Sequence, residues 1–352
     1  MTSDWMKAVW ISGSPAIAGA ISFALVLAVV PAVMWLCAKF GLRDSPGPLK
    51  IHSRPTPRLG GIAILLAICA GLLLDARPAI NIYFALALAF IWTAGIIDDL
   101  RGLPPILRLS AQAVGGMILW YGGWRMPLLN SGSLGLIALF LYLILVVNSL
   151  NLIDGADGIA AGVTAVIAAG YVALPAASLT QFGPYVACSL LGACVGFLIA
   201  NFPPAKLFMG DSGSNLLGFC VAILGLDFWR THAVTSSAQF FPFIVAGLPL
   251  LDALSAVLRR LRTHTSPLVG DRRHFYDLLR SQGLTARKVA FACYAITIAF
   301  VVVGLLIVRT DSKLALWISA VAVGLLLLAS LRLGSLGRNE VRSRVQRVKV
   351  SV

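Results

Sequence analysis

Long unbroken apolar runs constrain this chain more than any motif in it. A helix crossing the hydrocarbon of a bilayer needs roughly 20 mostly apolar residues. Eleven runs approach that length: 16–37, 59–74, 79–97, 109–123, 134–150, 159–177, 184–202, 213–229, 238–258, 289–308 and 314–331. With 59% hydrophobic and only 12% charged residues, the chain has too little polar surface for a soluble domain. Disorder, collagen-like repeats and a disulfide-stapled scaffold are excluded by the same balance. The chain is expected to be an all-α polytopic membrane protein, a single domain over 1–352 with about eleven transmembrane helices and no strands. The runs at 109–123 and 213–229 are short and carry glycine, which leaves the count open by one.

The first run is too long for a signal-peptide core, lacks an A-x-A site and is followed by basic residues, so it is expected as a retained helix. Cys37, Cys69, Cys188, Cys194, Cys220 and Cys293 lie in or at the ends of apolar runs with no CxxC pair, which fits packing rather than metal binding.

Charge sets the orientation, because Lys and Arg are held back on the cytoplasmic side. With eleven spans, 22 of the 28 Lys and Arg fall on one side, which places the N-terminus outside and the C-terminus in the cytoplasm. A ten-span count would put either the early or the late basic loops on the wrong face. Residues 259–288 are expected as a cytoplasmic substrate-binding loop, and 332–352 as a basic cytoplasmic tail resting on anionic membrane lipids. Ten of the 14 acids share the inward side, at helix ends and in loops. Transporters keep functional carboxylates near the midplane, so here the chemistry is expected at the cytoplasmic surface.

Four inward segments and one later loop carry residue types that spans avoid. HSRPTPRLGG, from His52 to Gly61, sets two prolines and a glycine pair before the second span and fixes an irregular backbone. Asp98 and Asp99 directly follow a run ending in Gly95, Ile96 and Ile97. Two dehydrated carboxylates there would cost roughly 2.5 to 3.5 kcal/mol each on insertion scales. The pair is therefore either an exposed helix end or a cation site or base whose pKa its neighbour tunes. NSLNLIDGADG places Asn148, Asn151, Asp154 and Asp157 at three-residue spacing, near one face of a helical path, with Gly155 and Gly158 letting the chain break. Oxygen ligands without histidine or cysteine suit Mg²⁺ or Mn²⁺ better than zinc. AKLFMGDSGS sets Asp211 between glycines, with Lys206 and Phe208 upstream and Ser212 and Ser214 beside it. Such a turn opening a helix offers N–H groups to an anion while the carboxylate holds a metal. DRRHFYD adds Arg272, Arg273 and His274, the residue types of a phosphate clamp.

From RPTPRLGG through Asp98-Asp99, NxxNxxDGxDGxA, MGDxGS and PLxD around Pro249 and Asp252 to SPxxxDRRH, the chain resembles the polyprenyl-phosphate N-acetylhexosamine-1-phosphate transferases over nearly its whole length. The resemblance implies a reaction in which a UDP-N-acetylhexosamine, most commonly UDP-N-acetylglucosamine, gives its sugar-1-phosphate to undecaprenyl phosphate with release of UMP. Carried over by position, Asp211 and Asn151 resemble ligands of Mg²⁺ (or Mn²⁺), and Asp98 the residue that deprotonates or aligns the lipid phosphate. Asp99, Asp154 and Asp157 join it as catalytic carboxylates. Phe208 resembles a uracil-stacking aromatic, and Arg272, Arg273 and His274 lie where the family's last loop grips the diphosphate. Lys206, Asn148, Thr56, Gly60 and Gly61 complete the substrate-binding set. The resemblance further implies a multi-pass protein of the bacterial inner membrane, with its active site on the cytoplasmic face and no nucleic-acid partner, and it leaves a homodimer open. Direct displacement and a covalent aspartyl intermediate both remain open as well.

One departure matters. The family's last loop commonly ends in a histidine run, HxHH or HHHxE, and here it reads His274-Phe275-Tyr276-Asp277. The single histidine argues against the phospho-N-acetylmuramoyl-pentapeptide branch, the alternative within the superfamily, and favours the initiators of O-antigen or other cell-envelope polysaccharides. N-acetylated 6-deoxyhexosamines compete as the transferred sugar. Outside the family, a polytopic transporter would want carboxylates inside spans or repeat symmetry. A non-catalytic lipid-binding homologue would tend to have lost some of Asp98, Asp99, Asp154, Asp157 and Asp211, and all five are present.

Overall fold

The computed structural model describes residues 14–45, 55–75, 81–126, 132–175, 178–180, 182–231, 237–262, 264, 266, 273–310 and seven positions between 313 and 328. Ten of the eleven apolar runs are helical in it, and the run at 314–331 lies mostly outside the described residues. The helices are α1 (Pro15–Phe40), α2 (Gly60–Asp75), α3 (Ile82–Arg101), α4 (Pro105–Tyr121), α5 (Gly132–Ile153), α6 (Ile159–Val172), α7 (Gly183–Asn201) and α8 (Gly210–Thr231). After a 3₁₀ turn, Ser237–Phe240, come α9 (Phe241–Val245), α10 (Gly247–Arg262), the short α11 (Phe275–Ser281) and α12 (Ala286–Thr310). Six of them, α1, α3, α5, α7, α8 and α12, are long and apolar enough to cross a membrane, and α9 with α10 would make a seventh.

Local chemistry sets the ends. Pro15 opens α1, where its missing N–H costs nothing, and Gly41 closes it in the left-handed region at φ 69°. The run at 238–258 is not one straight span, as its composition suggests, but two helices bent by 73°. Pro249 has no N–H to give the carbonyl four residues earlier, so a continuous helix breaks there. The break is packed inside protein, with Val245, Ala246, Gly247 and Leu248 all buried, the setting in which irregular backbone is tolerated at membrane depth.

Helix α8 is the axis of the bundle. Every residue from Ser212 to Trp229 is buried, and α2, α3, α5, α6 and α7 pack around it. A side chain at Gly218 would bring a Cβ within 2.6 Å of the Cα of Val147, so α5 and α8 approach as closely as backbones allow. All six cysteines are free thiols, four of them buried and two partly buried.

The expected absence of strands needs a correction. Arg43–Asp44 (β1) and Thr56–Pro57 (β2) form a two-residue antiparallel ribbon, and the next residue, Arg58, bridges in parallel to Phe208. The Phe208 N–H donates to the Pro57 carbonyl, and the N–H groups of Gly60 and Gly61 donate to the carbonyls of Phe208 and Met209. These bonds tie the proline-rich segment to the chain entering α8.

Candidate active site

At the end of the bundle where α8 begins, five carboxylates, Asp44, Asp99, Asp154, Asp157 and Asp211, face a chamber of about 350 Å³ with Asn151, Asn201 and Phe208. A second chamber of about 830 Å³ borders it through Ala156, Asp157 and Phe208, and Thr56, Pro203, Arg280 and Arg287 line its farther wall.

The N-terminus of α8 organises the first chamber. Gly210 takes φ 73°, and a Cβ there would meet the Asp99 carboxylate at 2.5 Å. One Asp99 oxygen accepts from the Asp211 N–H at 2.8 Å. The other accepts from the N–H and hydroxyl of Ser212 at 3.0 and 2.6 Å. Asp99 therefore caps α8, satisfying its orphan donors and its dipole, and both its oxygens are committed.

Asp98, 4% exposed, points the other way. Its Oδ1 accepts from the Leu103 N–H at 2.6 Å, and its Oδ2 lies 2.7 Å from Nε of Arg108. Nη1 of the same guanidinium comes within 3.8 Å of Oδ1 of Asp211. Arg108, counted in the sequence only as a positive-inside charge, thus links Asp98 to Asp211.

Asp211 also accepts from Nδ2 of Asn151 at 2.7 Å, and the same amide group donates to Ser214 at 2.8 Å. The metal pair expected from the resemblance is brought into contact. Helix α5 stops at Ile153, and the turn after it carries Asp154 and Asp157 into the chamber. Asp157 Oδ2 accepts from the Ala205 N–H at 2.9 Å. Asn201 pins the turn by accepting from the Gly158 N–H at 3.1 Å while donating to the Leu207 carbonyl at 2.9 Å.

Asp154 differs from its neighbours, since among the described residues no donor reaches its carboxylate. Burial pushes that carboxyl well above the usual carboxylate range, and the charges of Asp211, Asp99 and Asp157 push it further. Among the described residues no three Asp, Glu, His or Cys side chains converge as a ready ligand cluster. Asp154, Asp211 and the Asn151 amide still supply the hard oxygen donors that Mg²⁺ takes, and Mg²⁺ needs only one or two carboxylates because it keeps several waters.

The other expected residues scatter. Asn148 points away from the chamber: its Nδ2 donates to Gln112 at 2.6 Å and to the Ile144 carbonyl at 2.7 Å. Lys206 is exposed and lines neither chamber. Gly60 and Gly61 serve packing, since a Cβ at Gly61 would sit 2.4 Å from the backbone nitrogen of Gly213. Thr56 is buried on the wall of the second chamber. His274 is buried, with Nδ1 2.6 Å from Asp252 Oδ2, while Asp252 Oδ1 accepts from the Phe275 N–H at 2.7 Å. Its ring stacks on Tyr276, whose hydroxyl donates to the Leu152 carbonyl at 3.3 Å beside the acidic turn. The histidine thus anchors the last loop to α10 instead of lining a chamber. Arg273 is half-buried, and Arg272 lies outside the described residues.

Fold and site together define a polytopic helical membrane protein with an acidic, oxygen-lined chamber suited to a hard cation and phosphate chemistry. Residues 81–228 match the glycosyl transferase family 4 model. The chain is 31% identical over 313 residues to a probable undecaprenyl-phosphate N-acetylglucosaminyl 1-phosphate transferase of Bacillus subtilis, covering 85% of this chain and 86% of the relative. It is 30% identical to a decaprenyl-phosphate N-acetylglucosaminephosphotransferase of Mycolicibacterium smegmatis, over 74% of this chain and 73% of the relative. It is also 28% identical to an undecaprenyl-phosphate alpha-N-acetylglucosaminyl 1-phosphate transferase of Escherichia coli, over 71% and 72%. The chain belongs to the polyprenyl-phosphate N-acetylhexosamine-1-phosphate transferase family.

Proposed function

We propose that the protein transfers N-acetylhexosamine-1-phosphate from a UDP-sugar, with UDP-N-acetylglucosamine the foremost donor, to undecaprenyl phosphate or a close polyprenyl relative. An oxygen of the lipid phosphate bonds to the β-phosphorus, the bond from that phosphorus to the bridging oxygen breaks, and UMP leaves. The observation that carries this reading is the contact of Asn151 with Asp211 beside the carboxylate of Asp154, which no donor among the described residues reaches, in a chamber walled by Phe208.

Asp211, Asp154 and the Asn151 amide would hold Mg²⁺, whose chemistry there is to neutralise the charge of a diphosphate. The chain's own residues position the rest, which is most of what phosphoryl transfer requires. Asp99 fixes the start of α8 and with it Asp211. Asp98, closed off by Leu103 and Arg108, acts by holding the Arg108 guanidinium near Asp211 instead of as a proton acceptor. Phe208 offers a face to the uracil ring.

In this reading the protein is a multi-pass protein of the bacterial inner membrane, as the family resemblance implies. The chamber faces the cytoplasm in an eleven-span topology with the N-terminus outside, an orientation that the positive-inside charge count supports. The product would start O-antigen or another envelope polysaccharide. The test is UMP release by purified protein with undecaprenyl phosphate, Mg²⁺ and a panel of UDP-sugars. UDP-N-acetylglucosamine should be turned over and UDP-N-acetylmuramoyl-pentapeptide should not. No UMP from any donor would overturn the reading.

A further inference from the structure

Among the described residues lining the acidic chamber, Arg58 is the one basic side chain, set against five carboxylates. The other guanidinium nearby, Arg108, is already occupied by Asp98 at 2.7 Å and the Leu103 carbonyl at 3.1 Å. The fields of both Arg58 and Arg108 reach Asp98. The two arginines therefore flank the same acidic cluster, Arg108 closely paired and Arg58 only loosely.

The backbone of Arg58 is held on three sides. Its N–H donates to the Leu42 carbonyl, its carbonyl accepts from the Cys37 thiol, and it bridges to Phe208. Its side chain is not held in that way. The side chain is 37% exposed and, among the described residues, makes one long ion pair, Nη1 to Asp44 Oδ1 at 4.0 Å, at the outer limit for such a contact. A rigid ladder thus presents a cation and an aromatic ring, Arg58 and Phe208, from paired positions to one chamber. A planar guanidinium fork fits two phosphate oxygens at once, and Asp44 supplies a weak partner that an incoming anion can displace.

We infer that Arg58 binds a phosphate group of a substrate in this chamber, with Asp44 holding its guanidinium when no anion is present. This rests on the transferase reading, and the phosphate belongs either to the nucleotide sugar or to the lipid acceptor. The arms of one kinetic experiment separate the two sources.

Wild-type protein, Arg58→Gln and Arg58→Lys are assayed in detergent for UMP release, each substrate varied in turn, with thermal unfolding as the check on folding. Wild-type turnover tests the transferase reading by itself. Given that turnover, Arg58→Gln should raise KM by roughly 10- to 100-fold, as expected when a charge-assisted hydrogen bond is lost. A rise for the UDP-sugar assigns Arg58 to the donor diphosphate, and a rise for the polyprenyl phosphate assigns it to the acceptor. Arg58→Lys keeps the charge but loses the fork, so the same KM should rise by a smaller factor. KM values for both substrates within about twofold of wild type in a folded Arg58→Gln would overturn the inference. If that variant is not recovered folded, Arg58→Lys decides in the same way: a raised KM supports the inference, and unchanged KM values for both substrates overturn it.

Discussion

Helix α8 carries a carboxylate at each end, and the two ends behave differently. Asp211 and Asp227 are sixteen residues apart, about 24 Å along the helix axis. Asp227 is fully buried, and both its oxygens are taken, by the Thr180 N–H at 2.9 Å and the Thr180 hydroxyl. Asp211 is 32% exposed in its side chain, faces the chamber, and meets an amide donor and a guanidinium at one oxygen. A carboxylate whose lone pairs are filled by donors of a neighbouring segment holds structure together. One with acceptor capacity turned to a cavity can bind a ligand. Asp98 and Asp99, adjacent in sequence, are both of the committed kind, the first to Leu103 and Arg108 and the second to the start of α8.

The sharpest way to break this comparison is to neutralise each end. Asp211→Asn should lower turnover by 10²- to 10³-fold or more, the scale of losing one electrostatic element of an active site, with the unfolding midpoint nearly unchanged. Added Mg²⁺ should restore little, because an amide cannot replace the lost charge. Near-normal UMP release from this variant would remove Asp211 from the site.

Asp227→Ala should give the opposite signature. It leaves the N–H and hydroxyl of Thr180 without their acceptor, a cost of about 1–3 kcal/mol. Denaturation in detergent should register that loss, while turnover per folded molecule stays close to wild type. A selective loss of turnover with full stability would erase the distinction between the two ends.

Phe208→Ala sharpens the picture at the chamber wall. Losing a stacking platform of about 1–3 kcal/mol, by analogy with bases stacked on aromatics, should raise KM for the UDP-sugar and leave the Mg²⁺ requirement in place. Equal effects on donor and metal dependence would count against a stacking role.

The smallest effect concerns Asp154. Its raised carboxyl holds a proton in the folded protein to a higher pH than in the unfolded chain. Without metal, then, stability should fall as the pH rises through that raised value. Asp154→Asn should remove this slope, so the metal-free variant is the more stable form at neutral and higher pH. The advantage should shrink as the pH falls toward the ordinary carboxylate range. Mg²⁺ must displace the same proton, so the Mg²⁺ concentration for half-maximal activity should rise as the pH falls. Thermal unfolding with and without Mg²⁺ across pH measures both, and parallel slopes for wild type and variant would contradict the assignment.

Much of the fold was legible because span length and apolar content are local. Ten runs became helices with ends near the expected positions. The bend within 238–258 was not read from composition, although Pro249 carried its cause. The ribbon at 43–44 and 56–57 was invisible because two-residue pairings leave no period in the sequence. The sequence divides the site into metal ligands (Asp211, Asn151), catalytic carboxylates (Asp98, Asp99, Asp154, Asp157) and substrate-binding residues, and residue type and spacing alone do not show which carboxylate finds which donor. Asn148 was misplaced because three residues along a helix fall about 60° short of a full turn, which rotates it from Asn151 toward Gln112 on α4. Arg58 and Arg108 were hidden in the positive-inside count, which tallies charge by side and says nothing of where a guanidinium folds back.

By itself, then, the sequence determined a helical membrane bundle and the supply of oxygen and aromatic chemistry at one end of it, because apolar run length and residue type are properties of short stretches. Only the tertiary structure decided which carboxylate caps α8, which is locked to Arg108, and which is left with lone pairs facing the chamber. A carboxylate's role depends on the donors within about 3 Å of it, and here those donors come from distant segments: Ser212 for Asp99, Ala205 for Asp157, Asn151 for Asp211.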